Sequence, residues 1–162
     1  SLACPVMLVE NKLLVDDVET FPSALQPSSD KPITIGWFGM LRCERTLSVL
    51  SSMAASAEGQ LQVLIAGKPS KAVFPDFERS IAGKPGIEYV GPYRYSDLPA
   101  LYGRCHFAWT IDWFEEGENS SWLLPNRIYE AVAHGSVPIA LSGIEVGHWL
   151  SARKAGLLVG SA

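Results

Sequence analysis

Two arginines follow a glycine at the end of an early apolar run, in the segment Gly36-Trp-Phe-Gly39-Met-Leu-Arg42-Cys-Glu-Arg45. Glycine lets a backbone approach a ligand closely, and the planar guanidinium fork of arginine matches the oxygens of a phosphate. The pattern is therefore typical of a diphosphate clamp. The alternative is that Gly39 only makes a turn while Arg42 and Arg45 face solvent. This first loop lacks the glycine fingerprint Gly-x-Gly-x-x-Gly of dinucleotide-binding proteins.

A second segment, residues 124–141, has the pattern of a helix that starts on a proline and ends on a glycine. Proline suits the first helical position because its missing N–H would be unpaired there, so we predict that the helix begins at Pro125. The amides of Asn126 and Arg127, with the positive end of the helix dipole, would then bind a phosphate. Glu130 lies further along, where its carboxylate could accept hydrogen bonds from two neighbouring sugar hydroxyls. The alternative is that Glu130 is an exposed helix residue.

Six short apolar runs alternate with segments of helical spacing. The runs, each typical of a buried parallel strand, are Ile33–Phe38, Gln62–Ala66, Ile87–Val90, His106–Ile111, Val137–Leu141 and Leu157–Val159. The helical segments are Arg45–Ala57, Ser70–Ala82, Ser96–Arg104, Pro125–His134 and Glu145–Lys154. This rhythm predicts an α/β fold, a Rossmann-like doubly wound parallel sheet with helices on both faces.

The domain is predicted to cover residues 33–162, after an N-terminal segment or linker at 1–32 that is rich in Pro, Ser and Asp towards its end. In doubly wound sheets, ligands bind beyond the carboxyl ends of the strands. Function is therefore expected in the loops Gly39–Arg45, Gly67–Pro69, Gly91–Tyr93, Asp112–Asn126 and Ser142–Gly147.

The composition excludes several classes of function. The net charge is −4, from 13 basic and 17 acidic residues scattered along the chain, so no nucleic-acid partner is expected. No apolar run approaches the ~18–20 residues of a membrane span. The three cysteines form no Cys-x-x-Cys pair, which favours a reducing cytoplasm over a disulfide framework or a zinc site. Because the chain begins on Ser1 and not on Met, we expect the natural N-terminus to lie upstream.

The second segment also resembles a known family. Its run Pro-Asn-Arg-Ile-Tyr-Glu-Ala-Val-Ala-His-Gly-Ser-Val-Pro-Ile-Ala, residues 125–140, is similar to the P-x-K-x-x-E-x-x-A-x-G-x-P-V-V segment of GT-B glycosyltransferases that carry a Glu-x7-Glu motif. Other likenesses follow in order: residues 39–45 resemble the family's G-R-L-x-x-x-K, residues 87–93 its strand-then-glycine segment, residues 97–102 its short helix, and residues 145–159 its final E…G-L-L-V. The likeness covers about 33–160 and implies the C-terminal, donor-binding half of a GT-B fold.

The resemblance assigns roles to the clamp, the helix and the strand-glycine segment. Glu130 would bind the ribose hydroxyls of a nucleoside-diphosphate sugar, and Arg45, at the family's lysine position, would hold the diphosphate. Arg42 is a second clamp residue. Gly91 and Tyr93 would read the base through backbone groups and an aromatic ring.

Two positions depart from the family. Met40 stands where the family has an arginine, and Trp122 stands where it has the first glutamate of the Glu-x7-Glu pair. The role of that glutamate is therefore vacant or is taken by the preceding loop, where Asn119, Ser120 and Ser121 could face the donor sugar.

The expected reaction is transfer of a sugar from the donor to a hydroxyl of an acceptor saccharide or lipid-linked glycan, in polysaccharide or glycoconjugate synthesis. We expect no cofactor and no metal, a need for the missing N-terminal domain, and a location in the cytoplasm or at the inner face of the membrane. A nucleotide-sugar epimerase and a non-catalytic GT-B-like module are the alternatives, and a dinucleotide-dependent oxidoreductase ranks last. None of the three histidines has a visible catalytic partner, so none is expected to act as acid or base.

Overall fold

The described chain forms one parallel sheet of six strands. The computed structural model describes residues 23–28, 30–114 and 116–160, so most of the predicted linker lies outside the described residues. The strands are β1 (Ile33–Leu41), β2 (Leu61–Pro69), β3 (Ile87–Tyr89), β4 (Phe107–Trp109), β5 (Val137–Leu141) and β6 (Leu157–Val159). They lie in the order β3-β2-β1-β4-β5-β6, and every pair is parallel.

Helices connect the strands, and most of their ends differ from the expected ones by one or two residues, with three differences that matter for the site. They are α1 (Glu44–Ser56), α2 (Phe77–Ile81), α3 (Leu98–Tyr102, after a 3-10 turn at Tyr95–Asp97), α4 (Asn119–Trp122), α5 (Asn126–Ala133) and α6 (Glu145–Arg153). The helix expected from Ser70 starts only at Phe77, because Pro75 interrupts it and the Asp76 side chain caps the shorter helix by accepting from the Arg79 amide.

The other two differences concern the segment before the predicted phosphate helix. Pro125 is the N-cap of α5 and not its first helical residue, since its ψ of 150° is extended; the helix begins one residue later, at Asn126. The loop before it, read from the sequence as irregular, contains the single turn α4.

Alternate residues of the central strands pack against helices on opposite faces. Ile35 and Trp37 of β1 belong to one core cluster with α1 and α2, whereas Phe38 belongs to a second with α3 and α5. A third cluster joins α5 and α6 over Ala140 of β5. The helices therefore cover both faces, and the predicted doubly wound α/β fold is confirmed.

From β1, the chain builds the sheet outwards through β2 and β3 on one side, and then returns to add β4, β5 and β6 on the other side. The strand order therefore reverses between β1 and β4, which leaves a crevice at the carboxyl ends of these two strands. Beyond the point where β4 ends, β1 and β2 remain paired, with Gly39 opposite Gly67. Both glycines have positive φ, and a Cβ on Gly67 would lie 1.8 Å from the Gly39 carbonyl oxygen. The β1–β2 pairing thus carries β1 beyond the last residue that pairs with β4, and Arg42 is the first residue after β1.

Candidate functional site

A cleft of about 360 Å³ opens at this reversal point. Its lining includes Arg42 after β1, Thr110 and Asp112 after β4, Ile144 after β5 and Arg127 at the start of α5. Three strands that are neighbours in the sheet thus contribute their carboxyl ends to one cavity, as is usual for ligand sites in this type of sheet.

Two arginines converge on one carboxylate in the cleft. The Nη2 atoms of Arg42 and Arg127 each lie 3.4 Å from Oδ2 of Asp112. The side chains of Arg127 and Asp112 are only 16% and 14% exposed, and that of Arg42 is 36% exposed. The other oxygen of Asp112 accepts a hydrogen bond of 3.0 Å from the Phe114 amide. One carboxylate offsets one of two cations, so the group carries a net positive charge that suits an anion.

The amino end of α5 opens on the same cleft. Pro125 has no side-chain oxygen with which to cap the first turn, and Pro125, Asn126 and Arg127 all line the cavity. The positive end of the helix dipole therefore adds to the field of the arginines.

Further along α5, the half-buried carboxylate of Glu130 accepts a hydrogen bond of 3.1 Å from the Tyr102 hydroxyl. Burial raises the pKa of Glu130, while the Tyr102 bond and the nearby Arg127 charge act in the opposite direction. The hydrogen bond uses Oε2, so the second carboxylate oxygen is a further acceptor.

Arg45 lies outside this cleft, in an adjoining one of about 400 Å³ that shares Arg42 as a wall. Its Nη1 is 3.2 Å from Oε2 of Glu116, and its guanidinium lies 4.5 Å from the centre of the Trp113 ring. Both members of this ion pair are largely exposed. The two predicted clamp arginines therefore lie side by side, but only Arg42 faces the start of α5.

Of the two predicted base-reading residues, Tyr93 packs against the core cluster that contains Phe38 and Tyr102. The Tyr93 ring packs edge-on against Phe38 with 6.3 Å between ring centres. Burial, followed by the Glu130 charge, raises the pKa of the Tyr93 hydroxyl, so this side chain is close to the Glu130 carboxylate. Gly39 and Gly91 have open space where a Cβ would stand, which leaves room for a ligand against the backbone.

The loop predicted to face the sugar is only partly directed at the cleft. Ser120 lines the cleft, whereas the Ser121 hydroxyl accepts a hydrogen bond of 3.0 Å from the Gly117 amide and holds a turn. Asn119 begins α4, but its side chain lies outside the described part of the structure. Trp122, at the end of α4, is 63% exposed.

Sequence reasoning missed two residues of this region, Asp112 and Tyr102. Asp112 carries a weak signal, because it is the first acidic residue after an apolar run in an expected ligand loop. Tyr102 carries none, since nothing in the spacing connects it to Glu130, 28 positions away.

The two histidines that lie nearest the sheet have structural contacts. His106 Nδ1 accepts a hydrogen bond of 3.0 Å from the Thr34 amide. The His134 ring stacks on Tyr102, and burial lowers the pKa of His134. Neither contact points to acid or base catalysis.

Residues 23–28, 30–114 and 116–160 contain neither a candidate metal site nor a candidate membrane span. In these ranges, no group of three or more His, Cys, Asp and Glu side chains could hold a metal ion. In the same ranges, no helix has the length and apolar character to cross a membrane.

Known proteins resemble the chain in sequence and in fold. It is 43% identical to the succinoglycan biosynthesis protein ExoL of Rhizobium meliloti (strain 1021), over 99% of the chain and 41% of that protein. Among solved structures, the lipopolysaccharide outer core galactosyltransferase WaaB matches with a TM-score of 0.59 at 15% identity, over 95% of the chain and 42% of WaaB. WaaG, a glycosyltransferase involved in lipopolysaccharide biosynthesis, matches with a TM-score of 0.53 at 10% identity, over 82% of the chain and 34% of WaaG. No protein-family profile matches.

The matches show which fold the chain has and how much of each known protein it corresponds to. The chain spans about two fifths of the length of the curated relative and of WaaB, and about a third of the length of WaaG. Both solved structures are GT-B glycosyltransferases, and the likeness confirms the expected fold.

Proposed function

We propose that this chain, which has the fold of one half of a GT-B glycosyltransferase, binds the nucleoside-diphosphate-sugar donor of such an enzyme. The observation that carries the proposal is the convergence of Arg42, Arg127 and the amino end of α5 on one cleft at the reversal point of the sheet. Guanidinium forks and a helix amino terminus are the groups that bind phosphate oxygens best.

The remaining parts of the donor follow along α5. The diphosphate lies at Arg42, Arg127 and the amide of Asn126, with Arg45 in reach from the adjoining cleft. The ribose hydroxyls bind the carboxylate of Glu130. The base then extends towards Gly91 and Tyr93, and the donor sugar towards Ser120; Asn119 and Ser121 remain sequence predictions for that sugar.

The proposed reaction is transfer of the donor's sugar to a hydroxyl of an acceptor saccharide or lipid-linked glycan. As the bond to the sugar breaks, negative charge grows on the diphosphate, and the arginines with the α5 dipole stabilise it. No cofactor and no metal take part in this scheme. The acceptor site comes from the remaining part of the protein, so this chain alone binds donor but turns over little of it.

Two features support polysaccharide synthesis as the setting. The relative that covers nearly the whole chain is named for succinoglycan biosynthesis, and both structural neighbours are named for lipopolysaccharide. We place the reaction in the cytoplasm or at the inner face of the membrane, where nucleotide sugars meet growing glycans.

Calorimetric titration of the chain with UDP, GDP, ADP, NAD and inorganic pyrophosphate tests donor binding. We expect one nucleoside diphosphate to bind selectively, and Arg127→Met to weaken it at least about tenfold, since charge-assisted bonds contribute roughly 1.5–3 kcal/mol. Arg104→Met is the matched control. Arg104 pairs with Glu88 at the opposite edge of the sheet, 2.7 Å apart, and its loss should change affinity less than about twofold.

Absence of binding to every nucleotide, with a cooperatively unfolding protein, would contradict the proposal. It would favour instead a GT-B-like module without chemistry. The exposed Trp122, at the position of a family carboxylate, is the observation that keeps this second function in consideration.

A further inference from the structure

Tyr102 ends α3 and is almost completely buried, with 1% of its surface exposed. Its hydroxyl crosses from α3 to α5 and donates to Oε2 of Glu130 at 3.1 Å. A buried hydroxyl needs a hydrogen-bond partner, and here that partner is Glu130, the carboxylate of α5 for which a ligand role is proposed.

The tyrosine is held in place from several sides. Its ring meets Phe38 of β1 edge-on, with 4.9 Å between ring centres and 85° between planes, and it stacks on His134 at 5.8 Å. Its carbonyl oxygen accepts a hydrogen bond of 2.9 Å from the Ser136 hydroxyl. A ring packed between a strand and the end of a helix has little rotational freedom, so its hydroxyl is a fixed point.

The hydroxyl also remains a donor at every working pH. Burial, reinforced by the Glu130 charge, raises the pKa of Tyr102 far above its ordinary value, so the group stays neutral. Glu130 sits on the first two turns of an eight-residue helix, and its flexible side chain would otherwise sample several rotamers.

We propose that Tyr102 is a positioning residue, which fixes the carboxylate of Glu130 by holding Oε2 and so directs Oε1 to the ribose hydroxyls of the donor. This inference rests on the proposed function and deepens it, because it names the group that orients the ribose contact. The pairing is a second-layer hydrogen bond of the kind that sets the direction of a binding side chain.

Tyr102→Phe removes the hydroxyl and keeps the ring. The test is calorimetry on the chain with the nucleoside diphosphate that binds, with its 2′-deoxy and 3′-deoxy forms, and with inorganic pyrophosphate. For the wild type, we expect the deoxy ligand that lacks the contacted ribose hydroxyl to bind about tenfold more weakly than the parent nucleotide. For Tyr102→Phe, removal of that ribose hydroxyl from the ligand should weaken binding less than about threefold, while the affinity for pyrophosphate stays unchanged.

Tyr89→Phe is the matched control. Tyr89 also loses a hydroxyl bond, one of 2.9 Å to the Gly67 carbonyl, but lies on β3, away from Glu130. It should keep the wild-type discrimination between ribose and deoxyribose, since a merely structural loss of stability does not alter that ratio.

The outcomes separate the two proposals. A wild type that binds no nucleotide refutes the donor site and this inference with it. A wild type that discriminates, together with a cooperatively folded Tyr102→Phe that discriminates equally well, refutes the positioning role alone. Glu130→Gln gives an independent check: if it too retains full discrimination, Tyr102 has no ribose-binding carboxylate to position.

Discussion

The fold partly removes the carboxylate of Glu130 from water, and burial of a charged group costs stability. Burial raises the pKa of Glu130 in the folded protein above that of an unfolded carboxyl. We therefore expect Glu130→Gln, which keeps the shape and the acceptor for Tyr102, to increase the free energy of unfolding at pH 7 while it weakens nucleotide binding.

The direction in which the free energy of unfolding changes with pH follows from proton binding by Glu130. Because the folded state holds the proton more tightly, stability falls as pH rises from the ordinary carboxyl value of 4.5 through the raised folded pKa. The gain from Glu130→Gln should thus be present at pH 7 and absent at pH 4. Urea unfolding at both pH values measures it, with the exposed Glu58→Gln as control. An equal gain at both pH values would contradict the electrostatic explanation.

Asp112 places a negative charge between the two arginines that we assign to the donor diphosphate. Asp112→Asn removes this charge and keeps the Oδ1 acceptor for the Phe114 amide, so the loop should hold its shape. We expect tighter pyrophosphate binding, by about threefold, since such partly exposed ion pairs are worth roughly 0.2–1 kcal/mol.

Calorimetry with pyrophosphate at low and high salt checks this expectation. The gain should shrink as salt screens the charges. Weaker binding in Asp112→Asn would mean that the carboxylate serves mainly to hold Arg42 and Arg127 in position, which a neutral amide does poorly.

Cleft residues that are marked by their neighbours in the sequence could be predicted, whereas contacts between distant segments of the chain could not. Arg42 and Arg127, which line the cleft, could be singled out because each follows a strand or begins a helix at the edge where ligands bind in such sheets. Their role in binding stays a prediction. Their common partner Asp112 and the Tyr102–Glu130 bond depend on where four separate segments meet. Side-chain convergence of that kind leaves no periodicity to detect.

The strands were predicted better than the helices, for a physical reason. A parallel strand buried on both faces reads as a continuous apolar run, and all six were located. Helix ends depend on capping and on proline. Because Pro75 interrupts the expected helix and Asp76 caps the observed one, α2 begins at Phe77, seven residues after the expected start at Ser70. The single turn α4 has no apolar stripe by which to recognise it.

Gly67 joins the ends of β1 and β2, and its substitution should be far more costly than that of an ordinary turn glycine. A Cβ at this position would lie 1.8 Å from the Gly39 carbonyl oxygen, and the φ of +142° is unfavourable for any other residue. We expect Gly67→Ala to cost at least ~3 kcal/mol of stability, from backbone strain and forced separation of the strands.

Gly59→Ala isolates the cost of the backbone angle. Gly59 has a φ of +88° but nothing within 4 Å of the added Cβ, so about 1 kcal/mol is expected. Denaturant unfolding of both variants gives the difference. Similar values for the two would mean that the strand ends separate easily, and that the extension of β1 towards the cleft is not rigid.

At the scale of the whole described chain, three core clusters pack the helices against the sheet. Helices cover both faces of the sheet, so we expect this part of the chain to fold independently. Arg42, Arg45 and Arg127 lie at the carboxyl edge of the sheet. Four exposed apolar side chains belong to the same region: Met40 near the end of β1, and Phe114, Trp122 and Leu123 between β4 and α5. Under the proposed function, this scaffold would bind the donor, and the chemistry would depend on further parts of the protein.

Cys105 reports on the stability of that scaffold, and through it on ligand binding. Its side chain is completely buried, and a Cβ on Gly36 would lie 2.8 Å from its sulfur. Burial raises the pKa of Cys105 to about 12, so the native thiol is unreactive at pH 8. We expect iodoacetamide to label it only through global unfolding, with a urea dependence equal to that of the whole domain.

Cys43 is the internal comparison. It is the N-cap of α1 and lines the cleft beside Arg45, so opening of one helix end should suffice to label it, with a weaker urea dependence. Mass spectrometry distinguishes the two sites. A nucleoside diphosphate at 100 times its Kd should slow labelling of Cys105 about a hundredfold, because a ligand that binds only the native state lowers the unfolded population in that proportion. If Cys105 labels independently of urea and of ligand, α3 separates locally from the sheet, and Tyr102 then cannot serve as the fixed point that orients Glu130.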